Sequence, residues 1–381
     1  MNKMMNKIRY LLTLYQNISF FVYFLFLRNK KKKVIGFADD LFEGNTKNIF
    51  LSLQKTHECF WISNLDSTVL KLKRKNINAF SYFTLLLKFT KVDAWVSSNS
   101  DRIPSLIKTR NISTDHGIPI KAFVGKTKTH HKKTLNNYFH LLPGKQTFNF
   151  YKNYYQISKE KLFITGYARN DDLFIKSKKE KKLFFEKFRL NSFNATAMYA
   201  PTWSHESNSK YKKKLFPNNW GDELKVLENL LIYFNQNKIN FILRLHKYHD
   251  IDWTDKHEYL IKKYNNIAKV SSFSHPNSIL FLKYTDLLIT DYSSIYNDFL
   301  ILNRPIIFIE TQKKIFKKFI PTRYPGPKVH QFKNFKMIIK KCLKNKNFFK
   351  KTREKIKRET HIVSKNKFTK NCIIAINNII N

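Results

Sequence analysis

Thr285-Asp286-Leu287-Leu288-Ile289-Thr290-Asp291-Tyr292-Ser293-Ser294 is the stretch from which the fold is read. Its apolar run is too short for a helix and does not alternate with polar residues. That pattern fits a strand covered on both faces, as in a parallel sheet packed between helices. Ser293 or Ser294 then caps a helix near 294–302, leaving backbone N–H groups and the positive end of the helix dipole facing outward. Such an end suits a phosphate, and it equally suits an ordinary serine cap.

Working outward, the same rhythm recurs. Ala197–Ala200, Phe241–Leu245, Ile267–Val270 and Ile306–Ile309 read as strands, with helices over Asp222–Asn235 and Asn277–Lys283. Upstream, Val34–Ala38, Cys59–Ser63, Ala94–Ser97, Arg110–Thr114 and Leu162–Thr165 read as strands, with helical stretches such as Phe83–Lys91 between them. Short apolar runs alternating with helices predict an α/β protein with parallel sheets, built as two similar halves around a cleft. The expected division is a basic-flanked apolar segment over 1–33, a first half over 34–176, a charged connector over 177–193, a second half over 194–331, and basic helices over 332–381. No sequence repeat is visible beyond the βα rhythm.

The 381 residues carry 71 Lys+Arg against 27 Asp+Glu, a net charge of +44. Hydrophobic residues make up 43% of the chain, enough for a sizeable core, which excludes a disordered basic tail. The abundance of Lys, Asn, Ile, Phe and Tyr also fits an AT-rich coding sequence, so part of the charge is compositional. The rest points to an anionic partner: nucleic acid, anionic lipid or a phosphate-rich polymer. Cys59, Cys342 and Cys372 are too few and too scattered for a disulfide framework or a zinc site, which fits a reducing compartment. Eight glycines, none of them in a G-x-G, exclude a Walker A loop and a dinucleotide-binding fingerprint.

An apolar-aromatic stretch, Tyr10–Leu27, lies between Lys3, Lys7, Arg9 and Arg28, Lys30–Lys33. It is at the short limit for a membrane span, and Thr13, Gln16, Asn17 and Ser19 interrupt it. Bases on both sides give no orientation. An interfacial helix on an anionic leaflet is the expected reading; a packed first helix and a true span are the alternatives.

The strand ends carry the chemistry, as open α/β sheets dictate. Ser113-Thr114-Asp115-His116-Gly117-Ile118-Pro119-Ile120-Lys121 offers His116 as a general base, Asp115 to orient it and Lys121 for a phosphate. Thr165-Gly166-Tyr167-Ala168-Arg169-Asn170-Asp171 offers Arg169, whose guanidinium can hold a phosphate bidentately. Thr202, in Tyr199-Ala200-Pro201-Thr202-Trp203, can bind an anion. Alternation places Arg244 and His246 on one face of their strand. Thr290, Asp291, Ser293 and Ser294 complete the set. Each motif alone also reads as a turn, a cap or a polar strand end. Together they form a cationic, hydroxyl-rich constellation suited to phosphate handling. It contains no paired acids at glycosidase spacing and no metal-ligand cluster, so no cofactor or metal is expected.

In order along the chain, His116-Gly117-x-Pro119-x-Lys121, Gly166-x-x-Arg169-x-Asp171, Tyr199-Ala-Pro-Thr-Trp203, Arg244/His246 and Ile289-Thr-Asp-Tyr-Ser-Ser294 resemble the CDP-glycerol glycerophosphotransferases. These are teichoic acid primases and polymerases, with relatives in capsule synthesis. Asn303-Arg304-Pro305-Ile306-Ile307-Phe308 and Pro325-Gly326-Pro327 resemble the next segments of that family. Ala168 and Lys247 stand where the family usually has Pro. The resemblance spans roughly residues 110–330. It implies a GT-B-like fold with two Rossmann-like domains, the first taking the acceptor and the second the CDP-linked donor.

It also implies transfer of a polyol phosphate, glycerol phosphate first and ribitol phosphate second, from a CDP-polyol to an acceptor hydroxyl, with release of CMP. His116 and His246 are the expected catalytic residues. Arg244, Thr290, Asp291, Ser293, Ser294, Arg169, Lys121 and Thr202 are the expected donor and phosphate ligands. The acceptor would be a polyol-phosphate chain or a glycan, and the enzyme would sit on the cytoplasmic face of the membrane as a peripheral or monotopic protein. A GT-B glycosyltransferase using a nucleotide sugar is the alternative within the fold. A nucleic-acid-binding protein, motivated by charge alone, leaves the strand-end motifs unexplained.

Overall fold

The computed structural model describes residues 14–15, 17–27, 31–82, 91–98, 109–115, 117–118, 132–202, 215–246, 253–291, 293–309, 324–362 and 367–381. The chain divides into two compact units. The first includes β1 (Val34–Ala38), α1 (Gly44–Leu53), β2 (Glu58–Ser63), α2 (Asp66–Lys73), β3 (Ala79–Ser81), β4 (Ala94–Ser97), β5 (Arg110–Ser113), β6 (Tyr138–Leu142), α3 (Lys145–Tyr154) and β7 (Leu162–Ile164). The second includes α4 (Lys178–Lys187), β8 (Thr196–Ala200), α5 (Glu223–Gln236), β9 (Asn240–Leu245), α6 (Asp255–Lys262), β10 (Ile267–Ser271), α7 (Ser278–Lys283), β11 (Leu287–Thr290), α8 (Ile295–Leu300), β12 (Ile306–Ile309), β13 (Lys328–Val329), α9 (Phe332–Lys344) and α10 (Lys350–Thr360). A last helix, α11 (Phe368–Ile380), returns to the first unit.

Both sheets are parallel throughout. The first runs β3-β2-β1-β4-β5-β6-β7 and the second β10-β9-β8-β11-β12-β13. Each winds outward in both directions from a central pair, β1/β4 in one and β8/β11 in the other. The strand rhythm predicts the parallel sheets, and their order is the Rossmann-like topology that the family resemblance implies, achieved without fingerprint glycines. The central strands are buried along their length, which is why their sequences are unbroken apolar runs.

The core follows from this burial. Phe37, Trp61 and Phe50 pack ring on ring on one face of the first sheet, where α1 and α11 cover it. Phe20, Tyr23, Phe60 and Phe80 form an aromatic cluster on the other. In the second unit, Phe234 stacks on Phe241 at 4.3 Å and ties α5 to β9.

Several boundaries differ from the sequence expectation. Residues 178–187, within the expected connector, form the helix α4. Ser177 caps α4 by accepting from the Glu180 N–H, and Glu180 takes the Lys283 ammonium at 2.7 Å and the Tyr284 hydroxyl at 3.1 Å, so α4 is docked on α7. The basic C-terminal residues split between the units. The Asp171 carboxylate accepts from the backbone N–H groups of Phe368 (3.2 Å) and Thr369 (2.8 Å) and so caps α11 on the first unit. Strands β3, β6 and β13 lacked a sequence signal, while the helix expected over Phe83–Lys91 lies almost wholly outside the described residues.

Near the N-terminus, residues 17–22 are helical and run into a π-helical turn, Tyr23–Leu27. One face packs on the first sheet through Phe20 and Tyr23. The other leaves Leu14, Tyr15, Ile18, Phe21, Val22 and Leu25 exposed. Among the described residues, no helix is long and apolar enough to cross a membrane.

Candidate active site

In the second unit the carboxyl ends of β8, β9 and β11 carry the motif residues. Thr290 ends β11 and donates its hydroxyl to the Ala200 carbonyl at 2.6 Å. The buried Asp291 carboxylate follows. It accepts the Thr202 N–H at 3.0 Å on each oxygen, the Thr202 hydroxyl at 2.5 Å and the Ser293 N–H at 3.0 Å. Thr290 and Asp291 thus have work inside the chain: they lock the loop after β8 to the loop after β11. Ser293 is left half-buried, and Ser294 is exposed at the N-cap of α8 with no cap bond from its own side chain. Gly117, which belongs to the same unit, lies alongside: a Cβ placed there would stand 3.4 Å from the Ser294 Oγ.

Arg244 is 6% exposed. Its guanidinium donates to the His275 carbonyl at 2.9 Å and the Pro276 carbonyl at 3.3 Å, and it lies 5.0 Å from the Phe281 ring. Burial lowers its pKa to about 10, so it stays charged at neutral pH. Its partners in these contacts are carbonyl dipoles, so its full positive charge remains as a local source of anion-attracting potential. His246 lies half-buried just beyond the end of β9. Arg304, in the Asn303-Arg304-Pro305 motif, donates to the carbonyls of Lys283 (3.0 Å) and Thr285 (2.6 Å) and is structural.

In the first unit, the end of β5 is held from several sides. Asp115 adopts a left-handed backbone, φ +47°. Its carboxylate accepts from Ser113 Oγ at 3.0 Å and Tyr151 OH at 3.0 Å. These contacts are additional to any part it plays in orienting His116. Asn45, 3% exposed near the start of α1, donates to the carbonyls of Thr114 (3.0 Å) and Asp115 (2.9 Å) and accepts the Arg169 N–H at 3.1 Å. The Arg169 guanidinium lies 4.8 Å from the Tyr167 ring. His116 and Lys121 lie outside the described residues. Asn45 and Tyr151 escaped the sequence reading because neither lies in a motif; only the topology brings them to this strand end.

The three cysteines are buried and free. Burial pushes the Cys342 and Cys372 thiols up to about 12, and raises that of Cys59 as well. Among the described residues, no three His, Cys, Asp or Glu side chains group as metal ligands.

Comparison with known proteins identifies the family and the fold. The family model described as CDP-Glycerol:Poly(glycerophosphate) glycerophosphotransferase matches residues 19–371. The teichoic acid poly(glycerol phosphate) polymerase of Bacillus spizizenii is 28% identical, over 91% of this chain and 92% of that protein. That of Staphylococcus epidermidis is 27% identical over 74% of this chain, which spans only 40% of that longer protein. The solved wall teichoic acid polymerase TagF shares the fold with a TM-score of 0.70 at 19% identity, over 99% of this chain and 97% of that one.

Proposed function

The chain belongs to the CDP-glycerol:poly(glycerophosphate) glycerophosphotransferase family, and from that premise we propose that it transfers glycerol phosphate from CDP-glycerol to the terminal hydroxyl of a poly(glycerol phosphate) acceptor. The acceptor oxygen attacks the phosphorus that bears the glycerol. The bond from that phosphorus to the bridging oxygen breaks, and CMP leaves with the electron pair. His116 takes the acceptor proton. His246 and Arg244, with the hydroxyls of Ser293 and Ser294, hold the pyrophosphate as charge develops on the leaving side. Thr202 belongs to the frame that Asp291 sets, and Arg169 and Lys121 are secondary contacts for phosphate. CDP-glycerol is a substrate, and the scheme uses no cofactor.

The observation that carries this reading is the end of β11. A buried carboxylate fixes the loop in which Ser293 and Ser294 stand, and the same sheet carries on β9 a buried arginine that keeps its charge. The test is a donor panel: purified protein, a short glycerol phosphate oligomer, and CDP-glycerol, CDP-ribitol or nucleotide sugars, with released nucleotide measured. CMP release with CDP-glycerol, coupled to lengthening of the oligomer, is expected. Turnover of a nucleotide sugar instead would replace this reading with the glycosyltransferase one, and preference for CDP-ribitol would change the polyol.

The N-terminal helix supplies the place of work. Its exposed apolar face, with Lys31, Lys32 and Lys33 close by in sequence and the Lys73 ammonium 5.2 Å from the Tyr15 ring, fits an anionic leaflet. The enzyme then works as a peripheral or monotopic protein on the cytoplasmic membrane face.

A further inference from the structure

The residues that lead into His116 are held by a side chain outside every motif. Asn45 uses both amide ends at once: its Nδ2 donates to the consecutive carbonyls of Thr114 and Asp115, and its Oδ1 accepts the Arg169 N–H. One turn later on the same face of α1, Asn48 donates to the Ala168 carbonyl at 3.1 Å. One helix end therefore binds the His116 loop to the Arg169 loop. What it holds is a conformation that the chain resists. A left-handed φ at a non-glycine residue is costly and persists only where the surroundings impose it. At Asp115 they do so through three groups: Asn45 on the carbonyl, Ser113 and Tyr151 on the carboxylate.

We infer that Asn45 is a positioning residue for the transfer step, acting through the Thr114–Asp115 backbone on His116 and tying it to the Arg169 turn. This rests on the reading of His116 as the base. Displacement of a reacting group by about 1 Å costs on the order of 100-fold in rate. Donor binding, assigned mainly to the second unit with Arg169 a secondary phosphate contact, should be largely spared. Asn45→Asp is the sharper probe, because it keeps the shape and the acceptor for the Arg169 N–H. It loses both donated bonds and places a negative charge against two carbonyls, one residue from His116. A nearby carboxylate raises a histidine pKa, and a base works only when deprotonated, so the acidic limb of the kcat/KM profile should move to higher pH.

The experiment compares Asn45→Ala, Asn45→Asp and His116→Ala in the full chain. Single-turnover CMP release, CDP-glycerol affinity by calorimetry, thermal melting and the pH–rate profile are measured. Both Asn45 variants should lose about 100-fold in CMP release with donor affinity kept within about threefold, and Asn45→Asp should shift the acidic limb upward. Near-normal release by folded Asn45→Asp, while His116→Ala is inactive, overturns the inference. So does a loss of donor affinity as large as the loss of rate, which would make Asn45 part of the donor site. Should Asn45→Ala fail to fold, Asn45→Asp decides alone. Turnover by His116→Ala would instead remove the base assignment itself, an outcome visible without either Asn45 variant.

Discussion

The Asp291 carboxylate grips Thr202 with both oxygens, and the same device recurs in the other unit with its polarity reversed. There Asp39, just past β1, accepts the Ser98 N–H at 3.2 Å on each oxygen and the Ser98 hydroxyl at 2.6 Å, just past β4. The residue before each staple matches too: Ser97 donates to the Ala38 carbonyl at 2.7 Å as Thr290 does to that of Ala200. Each pair closes the central strands where the sheet reverses its winding, which is where open α/β sheets bind their ligands.

Replacing Asp291 by Asn should therefore damage the fold as well as the chemistry. An amide turned toward two N–H groups leaves at least one buried donor unmet. A cost of about 3 kcal/mol and a melting point lower by roughly 6–12 °C are expected. Thr202→Val, which keeps the N–H contact, should cost about 1–1.5 kcal/mol. Differential scanning calorimetry of both variants checks the order; equal melting points would show that the carboxylate holds nothing.

Much of this architecture is legible in the sequence. Runs such as Leu287–Ile289 and Phe241–Leu243 are apolar on both faces because their strands are buried on both faces, so the parallel sheets can be read from them. Motif positions at strand ends are legible because topology alone places ligand chemistry there. What each motif residue touches is not. Asp171 stands in a strand-end motif and proves to cap a helix nearly two hundred residues later. Arg244 reads as a phosphate ligand, and the sequence gives no sign that the carbonyls of His275 and Pro276 hold its guanidinium. The Asp39–Ser98 staple has no local signature, since a hydrogen bond between distant loops leaves no periodicity in sequence.

Two glycines mark close approaches and should differ in how they fail. A Cβ on Gly326 would stand 1.9 Å from the Ile306 carbonyl oxygen, so Gly326→Ala must move backbone and part β13 from β12. A Cβ on Gly36 would meet Trp95 Cζ3 at 2.3 Å, and that ring is wedged edge-on against Phe60 at 5.5 Å. Gly36→Ala should cost roughly 1–3 kcal/mol, Gly326→Ala more, and Gly44→Ala, with open space but φ +69°, about 1 kcal/mol. Urea titrations that returned a different order would show that these contacts yield more easily than their geometry implies.

His140 should make the fold acid-sensitive. Its ring is fully buried, with Nε2 2.9 Å from the Leu135 carbonyl, and burial holds its pKa below 6.5 against the opposing pull of Asp115. Between that lowered value and 6.5 the unfolded chain binds a proton that the folded chain refuses. Stability is therefore complete above about pH 6.5 and declines as pH falls below it. His57 and His275 are lowered by burial too and add to the slope. His140→Gln should flatten part of the decline in melting temperature between neutral pH and about pH 5. An unchanged slope would mean that His140 does not contribute to it.

The exposed face of the N-terminal helix should govern membrane binding separately from catalysis. Leu14, Ile18, Phe21 and Leu25 project away from the sheet, while Phe20 and Tyr23 hold the helix to it, so the outer face can be changed without touching the core. Replacing those four with Ser removes apolar contacts worth about 1.5–3 kcal/mol each when fully buried, and vesicle binding should fall by roughly 100-fold or more. Changing Lys31 and Lys32 to Gln removes about 1 kcal/mol per charge on an anionic leaflet, a loss that should shrink as salt rises and appear only with anionic lipid; Lys33 is kept because its ammonium donates to the Ile380 carbonyl. Sedimentation with phosphatidylglycerol and with phosphatidylcholine vesicles separates the two contributions. CMP release with a soluble oligomer should stay near normal in both variants, because neither set of residues belongs to the strand-end site. Full vesicle binding by the Ser variant would place the membrane contact elsewhere on the protein.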